Sequence, residues 1–438
     1  MTDSSFPLSS SGGPIQPANP ATCLNLTKKD GEFLRVLASV SVVIAHCIHF
    51  WVVDFYKTRD FVSVSYLSVF LDQFTRFTVP LFFFLSGLGL SLQFRNKALT
   101  LREYYRFRLL KILAPFLLWS SLTAFRHIDY IHAMSWSQNP WGSTGLLFKF
   151  LFLDGFDYQY YFLIVIFQFY LVFPFVYKLG QSRFWMGFFL LLHLALMSPM
   201  ETFLGLAGMS LPKIHSNLLI LHWFYCFAGV FVACNGQFLS SFASRFNLFK
   251  AVGFWVFSLL LVNLEFQVNI HGNKSLYEAD HFNRWSVVLY CIASLLLFLK
   301  AKDKISAKFY SDPAWRFLFT LVAPYTFFVY LAHTHILRGV DFLFWEVTFF
   351  DYLNRIILVV AGTYLLAWFA QWLLEDYPGL RFALGLPKKP PLNWSELPGA
   401  SLFRIRSLRG AEPLSSQAAA FETEGDPAMA RRSEQVGG

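Results

Sequence analysis

Charge is scarce in this chain. Only 14% of the 438 residues are Asp, Glu, Lys or Arg, against about 25% in an ordinary soluble domain. That excludes a water-soluble globular protein. Cysteine is scarce too, with five residues (23, 47, 226, 234, 291) and no CxxC pair. Neither a disulfide framework nor a zinc site is indicated, and thiols inside apolar runs serve as small hydrophobes. Residues 1–27 contain no Lys or Arg and no long apolar stretch, so they lack the parts of a secretory signal. No internal repeat is evident, which weighs against a transporter built from inverted repeats. The histidine boxes of membrane di-iron enzymes (HxxxH, HxxHH) are missing as well. Only HxxH at 46–49 and HxH at 333–335 occur, so no metal is expected.

What is abundant is apolar and aromatic: 55% hydrophobic and 19% aromatic, with 53 Phe and 13 Trp. Such residues suit lipid-facing and interfacial surfaces. Apolar runs lie near 33–53, 77–94, 109–125, 160–177, 184–199, 217–234, 251–267, 285–299, 317–337 and 356–374. The expected fold is an all-α, polytopic membrane bundle of about ten transmembrane helices. Leu146 to Leu153 (LLFKFLFL) is too short to span and reads as interfacial or re-entrant. Residues 1–29 are rich in Ser, Pro, Gly and Asn, and 378–438 turn polar and proline-rich. Both read as disordered cytoplasmic tails flanking a membrane domain at 30–377.

Orientation follows from Lys and Arg. With the N-terminus inside, the large majority of the 36 basic residues fall on inner segments, including the stretch from Arg95 to Lys111 and the C-terminal tail. The expectation is N-in, C-in. The net charge of +9 is then a cytoplasmic rim rather than a nucleic-acid surface, and no nucleic-acid partner is expected. All eleven histidines fall on the outer half in this arrangement. Interfacial placement accounts for several of them. The split still suggests an inner side built for anions and an outer side with proton-transfer groups.

Four places carry chemistry. The first run, FLRVLASVSVVIAHCIHFWVV, holds Arg35, His46 and His49. Ionisable groups inside a span are costly and mark function by default. Arg35 and His46 are eleven positions apart, almost three helical turns, so they share a face roughly 16 Å apart along the axis. A snorkelling Arg and a packed His would be the structural alternative. The second place is RFRLLKILAP, where Arg108 and Lys111 run into a span. Basic side chains at a helix start form a natural phosphate site. The positive-inside rule and anionic lipid account for the neighbouring Arg95, Lys97 and Arg102. The third is PLFFFLSGLGLSL. Gly89 reads as a close helix contact. Ser86 reads either as packing or as a hydroxyl for a developing oxyanion. The fourth is FFVYLAHTHIL, with Tyr330, His333 and His335 at the outer end of the ninth run.

Taken in order, these motifs resemble the acyltransferase type 3 family of membrane acyltransferases. Arg35 and His46 match its R-x10-H signature. FFFLSGLGL is similar to its second-span FFxLSGxxL, and RFRLLKILAP to its RxxR entry, with Lys111 in place of the second Arg. YYFLIVIFQFYLVFP resembles WFLxxLxxxYLxxP, with Tyr161 where Trp is usual. HWFYCFAGVFVA and VYLAHTHIL resemble its aromatic-glycine span and its YLxH run. The match covers roughly residues 30 to 377.

The resemblance implies transfer of an acyl group, usually acetyl from acetyl-CoA, to a hydroxyl of a glycan, a lipid-linked sugar or a related acceptor. In that setting Arg35, Arg108 and Lys111 anchor the acyl-CoA co-substrate. Its pantetheine arm passes Ser86 and Gly87. His46 acts as general base or as acyl-carrying nucleophile, with Ser86 and His333 as further catalytic candidates. Asp54, Asp72 and Glu265 are the acids available to orient His46. Expected partners are membrane lipid and the hydroxyl-bearing acceptor, and the expected location is the inner cell membrane. The oligomeric state, the acceptor and the acyl chain are not legible. A transporter or flippase of an acylated or anionic lipid or glycan would use the same basic rim without bond formation. Acetyl-CoA turnover separates the two.

Overall fold

The computed structural model describes residues 26, 28–58, 63–96, 101–126, 140–149, 157–197, 218–272, 274–341 and 349–388. Among them secondary structure is entirely helical. Lipid offers no water to a backbone, so each spanning segment satisfies its amides within its own helix. The helices are α1 Lys28–Thr58, α2 Ser63–Thr75, α3 Thr78–Asn96, α4 Leu101–Arg126, α5 Pro140–Lys149, α6 Tyr161–Leu179, α7 Arg183–Ala195 and α8 Trp223–Cys234. They continue with α9 Gly236–Ser244, α10 Leu248–His271, α11 Leu276–Asp280, α12 Trp285–Ser311, α13 Pro313–Val322, α14 Thr326–Asp341, α15 Phe349–Leu373 and α16 Pro378–Leu384.

Local chemistry sets several starts. Asn247 accepts from the Lys250 amide at 2.8 Å ahead of α10. Asp312 accepts from the Ala314 amide at 2.8 Å, with Pro313 opening α13.

All ten apolar runs contain helix, but among the described residues eight stretches are long and apolar enough to cross a membrane, or nine if the bent pair is one span. Two of the ten expected spans account for the difference. α7 has thirteen residues, and α8 and α9 meet at 93°. The second run is longer than its apolar core suggests. It reaches from Tyr66 to Arg95 and breaks between α2 and α3 at Arg76 and Phe77. Thr75 Oγ1 donates to the Asp72 carbonyl at 2.8 Å and Thr78 Oγ1 to the Thr75 carbonyl, which occupies carbonyls that the break leaves without amides. α5 covers the first part of the 146–153 segment, and the rest lies outside the described residues.

α1 is the hub and packs against α2, α3, α14 and α15. α3 and α8 form the most intimate pair. A Cβ on Gly87 would fall on the Cys226 carbonyl, and one on Gly229 on the Phe84 carbonyl. These two glycines let the backbones touch.

Order continues past 377, where the sequence suggested a tail. α16 docks on α4 through Trp119 Nε1, which donates to the Leu384 carbonyl at 3.3 Å. Gly385 ends α16 at φ 79°, seated against the Phe327 ring. A β-carbon there would be both strained and crowded. Residues 389–438 and 1–25 lie outside the described residues.

Candidate active site

α1 is one uninterrupted helix, so Arg35 and His46 keep the helical relation that their spacing gives. Between them Ser39 Oγ donates to the Thr326 carbonyl at 3.3 Å and ties α1 to the start of α14. One end of the helix enters a basic cluster. The other enters a cavity.

At the basic end Arg35 is exposed, and its Nε donates to the Gly31 carbonyl at 3.1 Å. Arg108 donates to Gln93 Oε1. Arg108, Arg35 and Lys388 are the cations close enough to act on Lys111. The structure therefore brings together all three residues assigned to the donor and adds a fourth. Lys388 follows the Gly385 turn, and its carbonyl accepts from Arg381 at 3.2 Å. The PKKPP run was visible in the sequence. What hid Lys388 was the docking of α16, which the polar composition does not suggest.

At the other end His46 lines a cavity of about 900 Å³, together with His49, Arg76, Tyr158, Tyr330 and Arg338 among others. His333 stacks on His46, with ring centroids 5.2 Å apart and planes at 21°. Tyr158 meets the same imidazole edge-on at 4.9 Å. His333 is fully buried and is not part of the cavity wall. Its Nδ1 faces the carbonyls of Tyr330 at 2.8 Å and Val329 at 3.1 Å. Carbonyls only accept, so Nδ1 carries the proton and Nε2 presents a lone pair. That Nε2 has no hydrogen-bond partner among the described residues.

The turn at Asp157–Tyr160 is stapled to α14. Asp157 takes a forked pair from Arg338 at 2.7 and 2.8 Å. Tyr330 donates its hydroxyl to the Gln159 carbonyl, and Gln159 Nε2 donates to Thr334 Oγ1 at 2.6 Å. One helix thus holds both rings that touch His46, His333 directly and Tyr158 through this clamp.

The remaining wall is charged. Arg76, at the break in the second span, donates through Nε to Asp72 at 3.0 Å and through Nη2 to Asp280. Gln73 Nε2 bridges the same carboxylates at 2.8 and 2.9 Å. Burial lifts the Asp280 carboxyl well above the usual range, with Arg76 pulling it back. Burial and neighbouring positive charge push His281 down to about 3, so it is neutral at pH 7. Arg355 pairs with Asp341.

Other expectations from the sequence fare differently. The Ser86 hydroxyl donates to the Phe82 carbonyl one turn back at 2.8 Å, and Ser86 does not line the cavity. Gly87 is in direct backbone contact with α8, where a Cβ would fall on the Cys226 carbonyl. The packing role expected of Gly89 belongs to Gly87, since nothing lies within 4 Å of a Cβ at Gly89. Of the acids proposed to orient His46, Asp72 is taken by Arg76 and Gln73. Glu265 accepts from the hydroxyl of Ser286. Asp54 lies on α1, but its side chain is outside the described residues. A histidine and a tyrosine flank His46 instead. Sequence reading passed over Arg76, Asp157 and Arg338. The signal was available, because each is a charge within or beside an apolar run.

A family model described as an acyltransferase domain matches residues 31–372. The chain belongs to the acyltransferase type 3 family. The matched stretch opens three residues before Leu34 and takes in both Arg35 and His46, as well as His333 and the clamp around it. No curated protein and no solved structure matches the chain. The family and the apolar helices make this a multi-pass membrane acyltransferase.

Proposed function

We propose that this membrane acyltransferase moves an acyl group, acetyl in the simplest case, from acyl-CoA to a hydroxyl of a glycan, lipid-linked sugar or related acceptor in the cell membrane. One observation carries the reading. A single unbroken helix sets Arg35 in a cluster of four cations and His46 in the wall of a large cavity.

The cations Arg35, Arg108, Lys111 and Lys388 suit the phosphates of CoA on the cytoplasmic side. His46 makes no hydrogen bond to a described residue, so its ring is open to the cavity. As general base it takes the proton of the acceptor hydroxyl while the oxygen attacks the thioester carbonyl. The C–S bond then breaks, and the proton passes from His46 to the departing CoA thiolate. The product is an ester plus free CoA, and the enzyme is unchanged. His333 acts as a positioning residue: it fixes the plane of His46 without touching the cavity. Ser86, whose proton is committed within its own helix, carries no role in this scheme.

The test uses the full chain in lipid nanodiscs with labelled acetyl-CoA and a panel of hydroxyl acceptors. Wild type should release CoA in step with labelled ester. His46→Ala should lose roughly a hundredfold or more, and Arg35→Ala should weaken acyl-CoA binding. Full transfer by His46→Ala rejects the base assignment. An absence of any acyl-CoA binding or turnover by wild type rejects the reading itself.

A further inference from the structure

Building on the acyl-transfer reading, we infer that the cavity beside His46 selects an uncharged, hydroxyl-rich acceptor and rejects anionic ones. The basis is the pairing of its charges.

Three guanidinium groups line the cavity, and each is matched by a carboxylate. Arg76 is held by Asp72 and Asp280. Arg338 is forked onto Asp157 at 2.7 and 2.8 Å. Arg355 is paired with Asp341. Asp280 shares Arg76 and Gln73 with Asp72, and its carboxyl is held toward the protonated form. The three cations therefore face four carboxyl groups, Asp72, Asp280, Asp157 and Asp341, so each has a partner, and the neighbouring His281 is neutral at pH 7. A phosphate or carboxylate entering this space would lose its water and meet no cation that is not already neutralised. Removal of an ion from water without a partner is strongly unfavourable.

A sugar or other polyol faces no such penalty. Its hydroxyls both donate and accept, so they can bond the carboxylate oxygens and guanidinium edges that ion pairing leaves over. Its apolar C–H faces can rest on the aromatic wall given by Tyr158, Tyr161, Phe82 and Phe282. The volume of about 900 Å³ lies within the range of small-molecule sites. The contrast with the other end of α1 is direct. There Arg35, Arg108 and Lys388 all act electrostatically on Lys111, which is the arrangement an anion requires. Donor and acceptor are separated by charge.

The experiment compares matched acceptors on the full chain in nanodiscs: an alkyl glucoside against the corresponding glucuronide, and an alkyl galactoside against its 6-phosphate. Transfer from labelled acetyl-CoA and equilibrium binding are both measured. The uncharged member of each pair should be preferred at least tenfold. Asp341→Asn, which removes the carboxylate neutralising Arg355, should move that ratio several-fold toward the anionic member. Equal or greater use of the anionic member overturns the inference. So does an unchanged ratio in Asp341→Asn, or failure of every uncharged member to bind or react. Acyl-CoA binding and His46-dependent thioester cleavage are followed in the same samples. Their loss sinks the acyl-transfer reading, whereas their presence alongside a failed preference sinks only the acceptor inference.

Discussion

The imidazoles of His46 and His333 stack at 5.2 Å, nearly parallel, although 287 positions separate them in the sequence. His333 is locked by two backbone carbonyls of its own helix. His46 has no such lock, so its ring plane is set by its neighbour. His333→Ala should therefore lower kcat by roughly tenfold while leaving KM for acyl-CoA unchanged, because misplacing a reacting group costs rate rather than binding. His333→Phe preserves the stack and should retain more activity than Ala. Equal losses in steady-state kinetics would show that the Nε2 lone pair matters, rather than the ring.

The Arg338–Asp157 pair should be structural in effect. Asp157 keeps 2% of its side-chain surface, and Arg338→Ala removes its forked guanidinium while the Tyr158 amide at 3.2 Å remains. Stability should fall by roughly 3 kcal/mol, read as a lower unfolding midpoint in detergent. Arg338→Lys should restore only part of it, because an ammonium cannot make the fork. A midpoint unchanged in Arg338→Ala would mean that the clamp does not hold the Tyr158 turn.

Lys388 tests whether the docked C-terminal segment belongs to the donor site. Lys388→Gln should raise KM for acyl-CoA about tenfold and leave kcat alone. The gap should narrow as salt screens the cluster. Removal of residues 389–438, with Lys388 kept, separates the lysine from the segment beyond it. A KM equal to wild type in Lys388→Gln would confine donor binding to Arg35, Arg108 and Lys111.

The glycines of the second membrane span give a contrast on one helix. Gly87→Ala, or Gly229→Ala on the facing helix, should cost about 1–3 kcal/mol because the new methyl meets backbone. Gly89→Ala meets open space and should be neutral or stabilising by up to about 1 kcal/mol, the helix-propensity difference. Chemical denaturation of the three variants side by side decides the matter.

Ser86→Ala should keep near-wild-type turnover. Its hydroxyl satisfies the Phe82 carbonyl, and helices in lipid tolerate that loss well. A hundredfold drop in kcat with normal expression would return an oxyanion role to this serine.

The sequence by itself determined a great deal here, for a physical reason. Lipid forces long apolar helices, so the composition alone gave an all-α membrane bundle. Helical periodicity put Arg35 and His46 on one face before any packing was known. The ordered motifs named the family. Three features needed the tertiary structure. Among the described residues the ten apolar runs did not translate into ten long spans, because run length does not reveal the shortness of α7 or the bend after Cys234. Which glycine serves packing depended on the rotation of α3 against α8. Periodicity fixes relative faces within a helix but not which face meets a neighbour. The surroundings of His46 were the largest surprise. Asp72 and Glu265, two of the acids a sequence argument offers, are committed elsewhere, and the neighbours of His46 are His333 and Tyr158 from distant segments. Partners so far apart along the chain are joined only when α1, α14 and the Asp157 turn pack together, and no local pattern encodes that.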